Sequence, residues 1–162
     1  MPIQYIAGDL FENAHHAQAL AHGCNCQGTM GAGIAVGFRQ RYPAMYAEYR
    51  RRCQAVPRQL NPGDVFLWKA DDQPWVFNLA TQEDYQRSRA TTEAIERALQ
   101  SMRAQADTAG IASIAMPRIG AGLGGLSWQQ VRPLIERAFA DWAGTLSVYE
   151  EYRPAVEELA KP

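Results

Sequence analysis

Four glycines fall within six positions of "MPRIGAGLGGLSW", residues 116–128, between an apolar run and a stretch of helical periodicity. Gly120, Gly122, Gly124 and Gly125 each weaken a regular helix or strand, because glycine loses more backbone entropy on folding than alanine does. A second glycine loop lies in "GCNCQGTMGAGIAVGF", residues 23–38. A glycine loop that runs into a helix presents unpaired N–H groups and the positive end of the helix dipole. That is an anion site needing no cationic side chain. The first loop leads into a helix starting near Ile34, and the second into one capped by Ser127. Two such sites facing each other suit a diphosphate better than a monophosphate. Tight turns with close backbone packing are the competing reading of each loop. Neither matches a nucleotide signature: G-x-x-x-x-G-K-[ST] is absent, neither loop holds a Lys, and "GTMGAG" and "GAGLGG" break the G-x-G-x-x-G spacing.

Three further residues have polar chemistry at the ends of expected strands. Asp9 follows the first strand and is either an N-cap for the segment from Leu10 or an acceptor for an exocyclic amine such as that of adenine. Asn25 carries donor and acceptor groups that suit sugar hydroxyls, or serves turn chemistry. Tyr149 ends the last strand, where it stacks on a base or closes the core edge. "HGCNC" places His22 near Cys24 and Cys26, but C-x-C is tighter than the usual zinc spacing and no second pair follows, so no metal is expected.

The elements that must position these groups alternate between strand and helix. Strands are expected at Ile3 to Ala7, Ala17 to His22, Asp64 to Lys69, Trp75 to Ala80, Ile111 to Met116 and Leu146 to Tyr149. Helices are expected at Ile34 to Arg41, Ala44 to Arg52, Thr92 to Ala106 and Ser127 to Trp142. Ser127 and Gln130 form a capping box. Pro133 implies a bend in that helix, or a regular start nearer residue 132. Helices between short apolar strands predict an α/β fold with helices on both faces of a largely parallel sheet. Ligands of such sheets sit beyond the strand C-terminal ends, where both glycine loops and Asp9 fall.

The chain of 162 residues is long enough for one domain with its own core, and 20% charged residues with a net charge of −1 oppose non-specific nucleic-acid binding by the whole surface. A local basic patch remains compatible with that balance. Three cysteines cannot all pair within the chain, and no signal peptide precedes them, so a reducing cytoplasm is expected. No apolar run reaches the roughly 18 residues of a membrane helix.

"GDLF" at 8–11, "AHGCNCQGTMGAGIAVGFRQRYP" at 21–43 and "MPRIGAGLGGLSW" at 116–128 resemble the macro domain family, in matching order over nearly the whole chain. They are most similar to the branch of terminal ADP-ribose protein glycohydrolase and the DNA ADP-ribosyl glycohydrolase antitoxins. The resemblance implies a three-layer α/β/α sandwich with a mixed sheet over residues 1–153, a short tail at 154–162, and ADP-ribose as ligand without a cofactor. It also implies that Asp9 reads the adenine amino group, Leu10 adds a backbone contact, and Tyr149 lies by the adenine. Gly31, Ala32, Gly33, Ile34 and Ala35 would grip the diphosphate together with Ile119, Gly120, Ala121, Gly122, Leu123 and Gly124, and Thr81 and Pro117 would also bind the ligand. On this reading the glycines at 120, 122 and 124 are small because a side chain there would fill space the diphosphate needs. Asn25 would face the distal ribose.

The chain departs from that branch at two positions. Gln82 follows Thr81 where the best-understood glycohydrolases have a Lys, and Gly124 stands where the protein-directed members have an Asp. Lys69 and Lys161 do not replace the missing Lys from their positions. Asn25 and Gln82 are therefore the expected catalytic pair, one positioning the ribose and one orienting the scissile side. The adjacent carboxylates of Glu83 and Asp84 are a general-base candidate or part of a solvated loop. Arg39, Arg41, Arg50, Arg51, Arg52 and Arg58, with Arg87 and Arg89 apart, either contact nucleic-acid phosphates or form a solvated face. The expected activity is release of ADP-ribose from DNA or protein. The alternatives are a non-catalytic ADP-ribose reader and a slow ADP-ribose 1″-phosphate phosphatase.

Overall fold

The computed structural model describes residues 2–84, 89–121 and 124–153. Six strands form one sheet: β1 (Ile3–Gly8), β2 (Ala19–Asn25), β3 (Val65–Trp68), β4 (Trp75–Gln82), β5 (Ser113–Pro117) and β6 (Thr145–Tyr152), in the order β1-β6-β5-β2-β4-β3. Every neighbouring pair is parallel except β3 with β4, which run antiparallel on either side of the polar turn "ADDQP". The sheet is therefore mixed, with one antiparallel edge strand.

Alternation along each strand divides the core into two layers. In β4, Phe77 and Leu79 enter one cluster with the buried faces of α3 (Thr92–Ala109) and α4 (Trp128–Phe139). Val76 and Ala80 enter the other, with α1 (Ile34–Arg41) and α2 (Pro43–Gln54). This period of two on a sheet covered on both sides produces the three-layer α/β/α sandwich. The central strand β2 is buried along almost its whole length.

The helices follow their local signals. Thr91 caps α3 by accepting from the Ala94 N–H, and Gly110 ends it in the left-handed region at φ 73°. Pro43 occupies the first turn of α2, where its missing N–H costs nothing. In α4 the structure rules out the alternative of a regular start near residue 132. The Ser127–Gln130 capping box fixes the start at Trp128, and Pro133 sits inside the helix. Pro133 and Gln129 both face solvent, so water can satisfy the Gln129 carbonyl that a proline at 133 leaves without its N–H.

His22 is a core residue. Its ring is fully buried and stacked on Phe38 at 4.0 Å and 17°, and its Nε2 lies 2.7 Å from Asn78 Oδ1. The Asn78 Nδ2 donates to the Phe66 carbonyl, so Oδ1 accepts from His22 and Nδ1 is left without a partner among the described residues. Burial pulls the imidazole down to about 4 from 6.5. The unfolded chain therefore takes up this proton before the folded one does. Stability present above pH 6.5 is lost as pH falls toward 4, by about 3 kcal/mol. Urea unfolding at pH 7 and pH 4.5 is expected to show that loss in the wild-type chain, with a flatter pH dependence in His22→Gln.

Candidate functional site

Five parallel strands bring their C-terminal ends to one side of the sheet, at Gly8, Asn25, Gln82, Pro117 and Tyr152. Three adjoining cavities lie beyond those ends. They share Gly33, Ile34 and Pro117 at one junction and Gly23, Ala32, Ala35 and Gln82 at the other, so they form one elongated crevice.

The first compartment, about 460 Å³, is lined by Asp9, Leu10, Phe11, Arg41, Tyr149 and Tyr152 among others. Asp9 caps a turn rather than a helix. Its Oδ1 accepts from the Phe11 N–H at 2.9 Å, and Glu12 N–H returns to the Asp9 carbonyl at 3.1 Å. The second carboxylate oxygen has no hydrogen-bond partner among the described residues. The Tyr149 hydroxyl is buried and likewise unpartnered there. Its pKa is raised by burial, and further by the carboxylates of Glu12 and Asp9, so it stays a neutral donor. Arg41 lies over the Phe11 ring, 4.1 Å from its centroid.

The middle compartment, about 230 Å³, runs between the two glycine loops over a floor of Gly23 and Thr81. A Cβ on Gly23 would stand 3.1 Å from Thr81 Oγ1, so glycine keeps the floor flat. Gly33 is the N-cap of α1 at φ 63° and ψ −149°, a conformation open essentially to glycine alone, and no side chain caps the helix. The Ile34 and Ala35 N–H groups, at the head of the helix, have no intrahelical acceptors. The positive end of α1 is thus open to the crevice.

The second loop differs at its cap. A capping box at the N-terminus of α4 puts the Gln130 N–H on Ser127 Oγ at 3.2 Å and the Ser127 N–H on Gln130 Oε1 at 3.0 Å, whereas no side chain caps α1. The loop folds onto itself through Leu126 N–H to the Gly120 carbonyl at 3.0 Å. Gly120 lines the middle compartment and has a packing reason of its own to be glycine. Its φ is 74°, and a Cβ there would stand 2.4 Å from Cδ1 of the buried Ile95. Gly124 faces Ala90 and Gln82, at 3.3 Å and 3.7 Å from a Cβ placed on it. Gly122 and Leu123, also expected in the site, and Arg87 lie outside the described residues.

The distal compartment, about 380 Å³, holds Asn25, Thr29, Met30, Gly31 and Gln82. Asn25 and Gln82 are register partners across β2 and β4, just after a bulge at Cys24/Asn25. The structure thus brings the two expected catalytic side chains together. The Asn25 amide is heavily engaged. Its Nδ2 donates to the Thr29 carbonyl and Oγ1, both at 3.0 Å, and its Oδ1 accepts from the Gln27 N–H at 3.0 Å. Beneath it the buried Tyr49 hydroxyl lies 2.7 Å from the Asn25 carbonyl and 2.9 Å from Oδ1, its one proton shared between them. Burial holds the phenol far above its usual range. Gln82 Nε2 donates to the Asp84 carbonyl at 2.7 Å.

Glu83 and Asp84 line none of the three compartments. The Glu83 carboxylate is paired with Arg58, whose hydrogen bonds lower its pKa and make it a poorer base. Lys69 lies in a separate cavity with Val65 and Gln105. Sequence reasoning missed Arg118, which is exposed on the middle compartment, and Tyr49. An arginine directly before the glycine run was the available signal for the first. A buried tyrosine whose partner is a distant loop gives none. Among the described residues, no three His, Cys, Asp or Glu side chains converge to hold a metal.

Gly120→Ala adds an overlap with Ile95 and a side chain in the left-handed region, which together cost about 2–3 kcal/mol. Ile95→Val removes the overlapping methyl. In the Gly120→Ala background it is expected to recover part of the loss, whereas alone it destabilises by about 1 kcal/mol. Denaturant titration of the four proteins measures the coupling.

Comparison with known proteins accords with this geometry. The macro domain family matches residues 21–135. A DNA ADP-ribosyl glycohydrolase of Thermus aquaticus is 30% identical over 152 residues, covering 91% of this chain and 41% of that protein. The chain thus spans about two fifths of that relative's length. The human ADP-ribose glycohydrolase OARD1 is 30% identical over 147 residues, covering 91% of this chain and 90% of its own. The structure of Thermosipho africanus DarTG in complex with ADP-ribose superposes with a TM-score of 0.81 at 26% identity, covering 97% of this chain and 42% of that one. With its family match, its sheet order and a crevice at the strand ends, the chain belongs to the macro domain family.

Proposed function

We propose that this chain binds ADP-ribose along the crevice and hydrolyses the glycosidic link that joins it to a macromolecule. The observation that carries the reading is the continuity of three compartments with an uncapped helix N-terminus in the middle one. An elongated ligand with a base at one end, two phosphates in the centre and a sugar at the other fits that order of chemistry. Asp9, with one oxygen held by Phe11, offers the other to the adenine amine, and Leu10 and Tyr149 wall the base. The diphosphate meets the Ile34 and Ala35 amides, where the helix end supplies about half a positive charge, and Arg118 adds a full one from the second loop. The distal ribose lies between Asn25 and Gln82. Thr29 Oγ1 is the Asn25 partner that a ribose hydroxyl displaces, since a hydroxyl rotor turns aside at little cost.

In the reaction, a water oxygen forms a bond to the anomeric carbon as the bond to the acceptor breaks. The acceptor leaves with the electron pair and takes up a proton, while the proton released by water passes to a diphosphate oxygen. Gln82 orients the scissile side and carries no charge. A positioned Lys would supply on the order of 3 kcal/mol more transition-state stabilisation, or roughly 100-fold in rate. The free thiols of Cys24, Cys26 and Cys53, all buried, suit a reducing cytoplasm. A second reading, a reader that binds without cutting, is favoured by the tethered Gln82 amide and by the absence of a side chain at Gly124.

Single-turnover assays with enzyme in excess separate the two. Release of ADP-ribose from a thymidine-linked oligonucleotide or a glutamate-linked protein is the expected result, and no release alongside measured ADP-ribose binding makes the chain a reader. Phosphate assayed on ADP-ribose 1″-phosphate isolates the phosphatase alternative. Gln82→Lys is expected to raise the release rate by on the order of 100-fold. Gly33→Val is expected to abolish ADP-ribose binding by calorimetry while leaving the circular dichroism spectrum intact.

A further inference from the structure

The first compartment holds a positive charge that ADP-ribose itself does not meet. Arg41 lines that compartment and forms no ion pair among the described residues. Its guanidinium lies 4.1 Å from the centroid of the Phe11 ring, and its Nη1 donates to the Gly37 carbonyl at 3.4 Å. The side chain therefore folds back one turn toward the head of α1. Gly37 makes room for this arrangement, since a Cβ there would stand 2.5 Å from Phe11 Cε2 and 3.3 Å from Arg41 Nη1. Phe11 is fixed in turn. Its ring meets the buried Phe38 edge-on at 4.8 Å, and its N–H is held by Asp9.

Position along the crevice identifies what this charge faces. Ile34, Gly37 and Arg41 share one face of α1, and all three line the compartment. The guanidinium stands level with Gly37, about 4.5 Å along the axis from Ile34 at the helix head. The Phe11 ring beneath it is tied to Asp9, at the base end. The cation thus falls between the diphosphate end and the base end, where the order of groups in the proposed ligand puts the adenosine ribose. In ADP-ribose that sugar offers only neutral hydroxyls. Among the described residues that line the compartment, Asp9 is the only acid, and its free oxygen is assigned to the base.

We infer that Arg41 receives a phosphate on the 2′ oxygen of the adenosine ribose, so that the crevice prefers the 2′-phosphorylated form of ADP-ribose. This rests on the ADP-ribose reading of the crevice. In dinucleotide sites a carboxylate meets a free 2′ hydroxyl, and an arginine accommodates a 2′-phosphate. The planar fork of a guanidinium suits phosphate oxygens, and stacking on Phe11 leaves its remaining edge donors free for them. The 2′ carbon adjoins the carbon that bears the base, whereas the 3′ carbon lies on the diphosphate side. The tie between Phe11 and Asp9 holds the cation toward the base and so favours the 2′ position. A macromolecule bearing such a unit has received it from a dinucleotide donor that carried the same phosphate.

Calorimetry of the full chain with ADP-ribose and with ADP-ribose 2′-phosphate is the test, and the ratio of the two affinities is its readout. The wild-type chain is expected to bind the 2′-phosphate about tenfold more tightly at low salt, as a charge-assisted contact gives. That preference is expected to shrink as salt screens an exposed charge. Arg41→Gln is expected to bring the ratio to one or below. Arg41→Lys is expected to keep part of it, because the charge remains while the fork is lost. A wild-type chain that binds ADP-ribose with no preference for the 2′-phosphate overturns this inference and leaves the crevice reading intact. A preference that survives Arg41→Gln overturns it as well. A chain that binds neither ligand overturns the reading of the crevice itself, and this inference with it.

Discussion

One buried hydroxyl joins the helical layer to the working end of the sheet. Tyr49 projects from α2 to the end of β2, where its single proton is shared between the Asn25 carbonyl and side-chain oxygen. Without it the Asn25 carbonyl would lose this donor, at a cost of about 1–3 kcal/mol, while Oδ1 would keep the Gln27 N–H. With it, Asn25 is fixed, and Asn25 in turn fixes Gln27 and Thr29. The chain then reaches Gly33 in the one conformation that leaves the head of α1 uncapped. Cys24, Cys26 and Cys53 are buried in the same core cluster as that phenol. Small and soft, they fill the space without demanding strong hydrogen bonds. Burial raises the Cys26 thiol to about 12, so it stays protonated and is a packing element rather than a nucleophile.

The crevice follows from topology as much as from any residue. Five parallel strands end on one side, so the loops leaving β1, β2, β4 and β5 converge without long excursions. The antiparallel β3 is the exception, and it contributes no lining residue to the crevice. What the strands position is mostly backbone. The floor is a glycine, the anion end is a helix terminus, and the charged side chains that line it, Asp9, Arg41 and Arg118, stand toward the ends and rim.

Much of this was legible in the sequence because it is local. The apolar face of α3 at Ile95, Leu99, Met102 and Ala106 is buried as its spacing requires, and the Ser127–Gln130 capping box is present. The expected site residues that the structure describes all line the crevice. What the sequence could not report is tertiary. Gly120 also packs on Ile95, twenty-five positions away, and no window of sequence reports that contact. Pro133 argued for a later helix start, and the cap overrode it because the carbonyl it strands faces water. For Asn25 the sequence left sugar hydroxyls and turn chemistry open, and the structure commits its amide to its own loop.

Holding a ligand and cutting it draw on different parts of this crevice. In the proposed complex, contacts from the α1 amides and the glycine floor would act on a diphosphate that changes little between ground state and transition state. They therefore lower the energy of both alike, and such uniform binding adds affinity without adding rate. Rate comes from groups whose interaction grows as the glycosidic bond breaks, and these reach the scissile side only from side chains at positions such as 25, 82 and 124. Position 82 now carries an amide tied to the Asp84 carbonyl, and position 124 carries no side chain. Substitution at those two places leaves the backbone terms untouched, because neither residue shapes the head of α1. A hydrolase and a reader therefore differ on this scaffold by side chains alone. On the proposed reading, affinity for ADP-ribose would report on the loops, while any rate of release would report on the seam between β2 and β4.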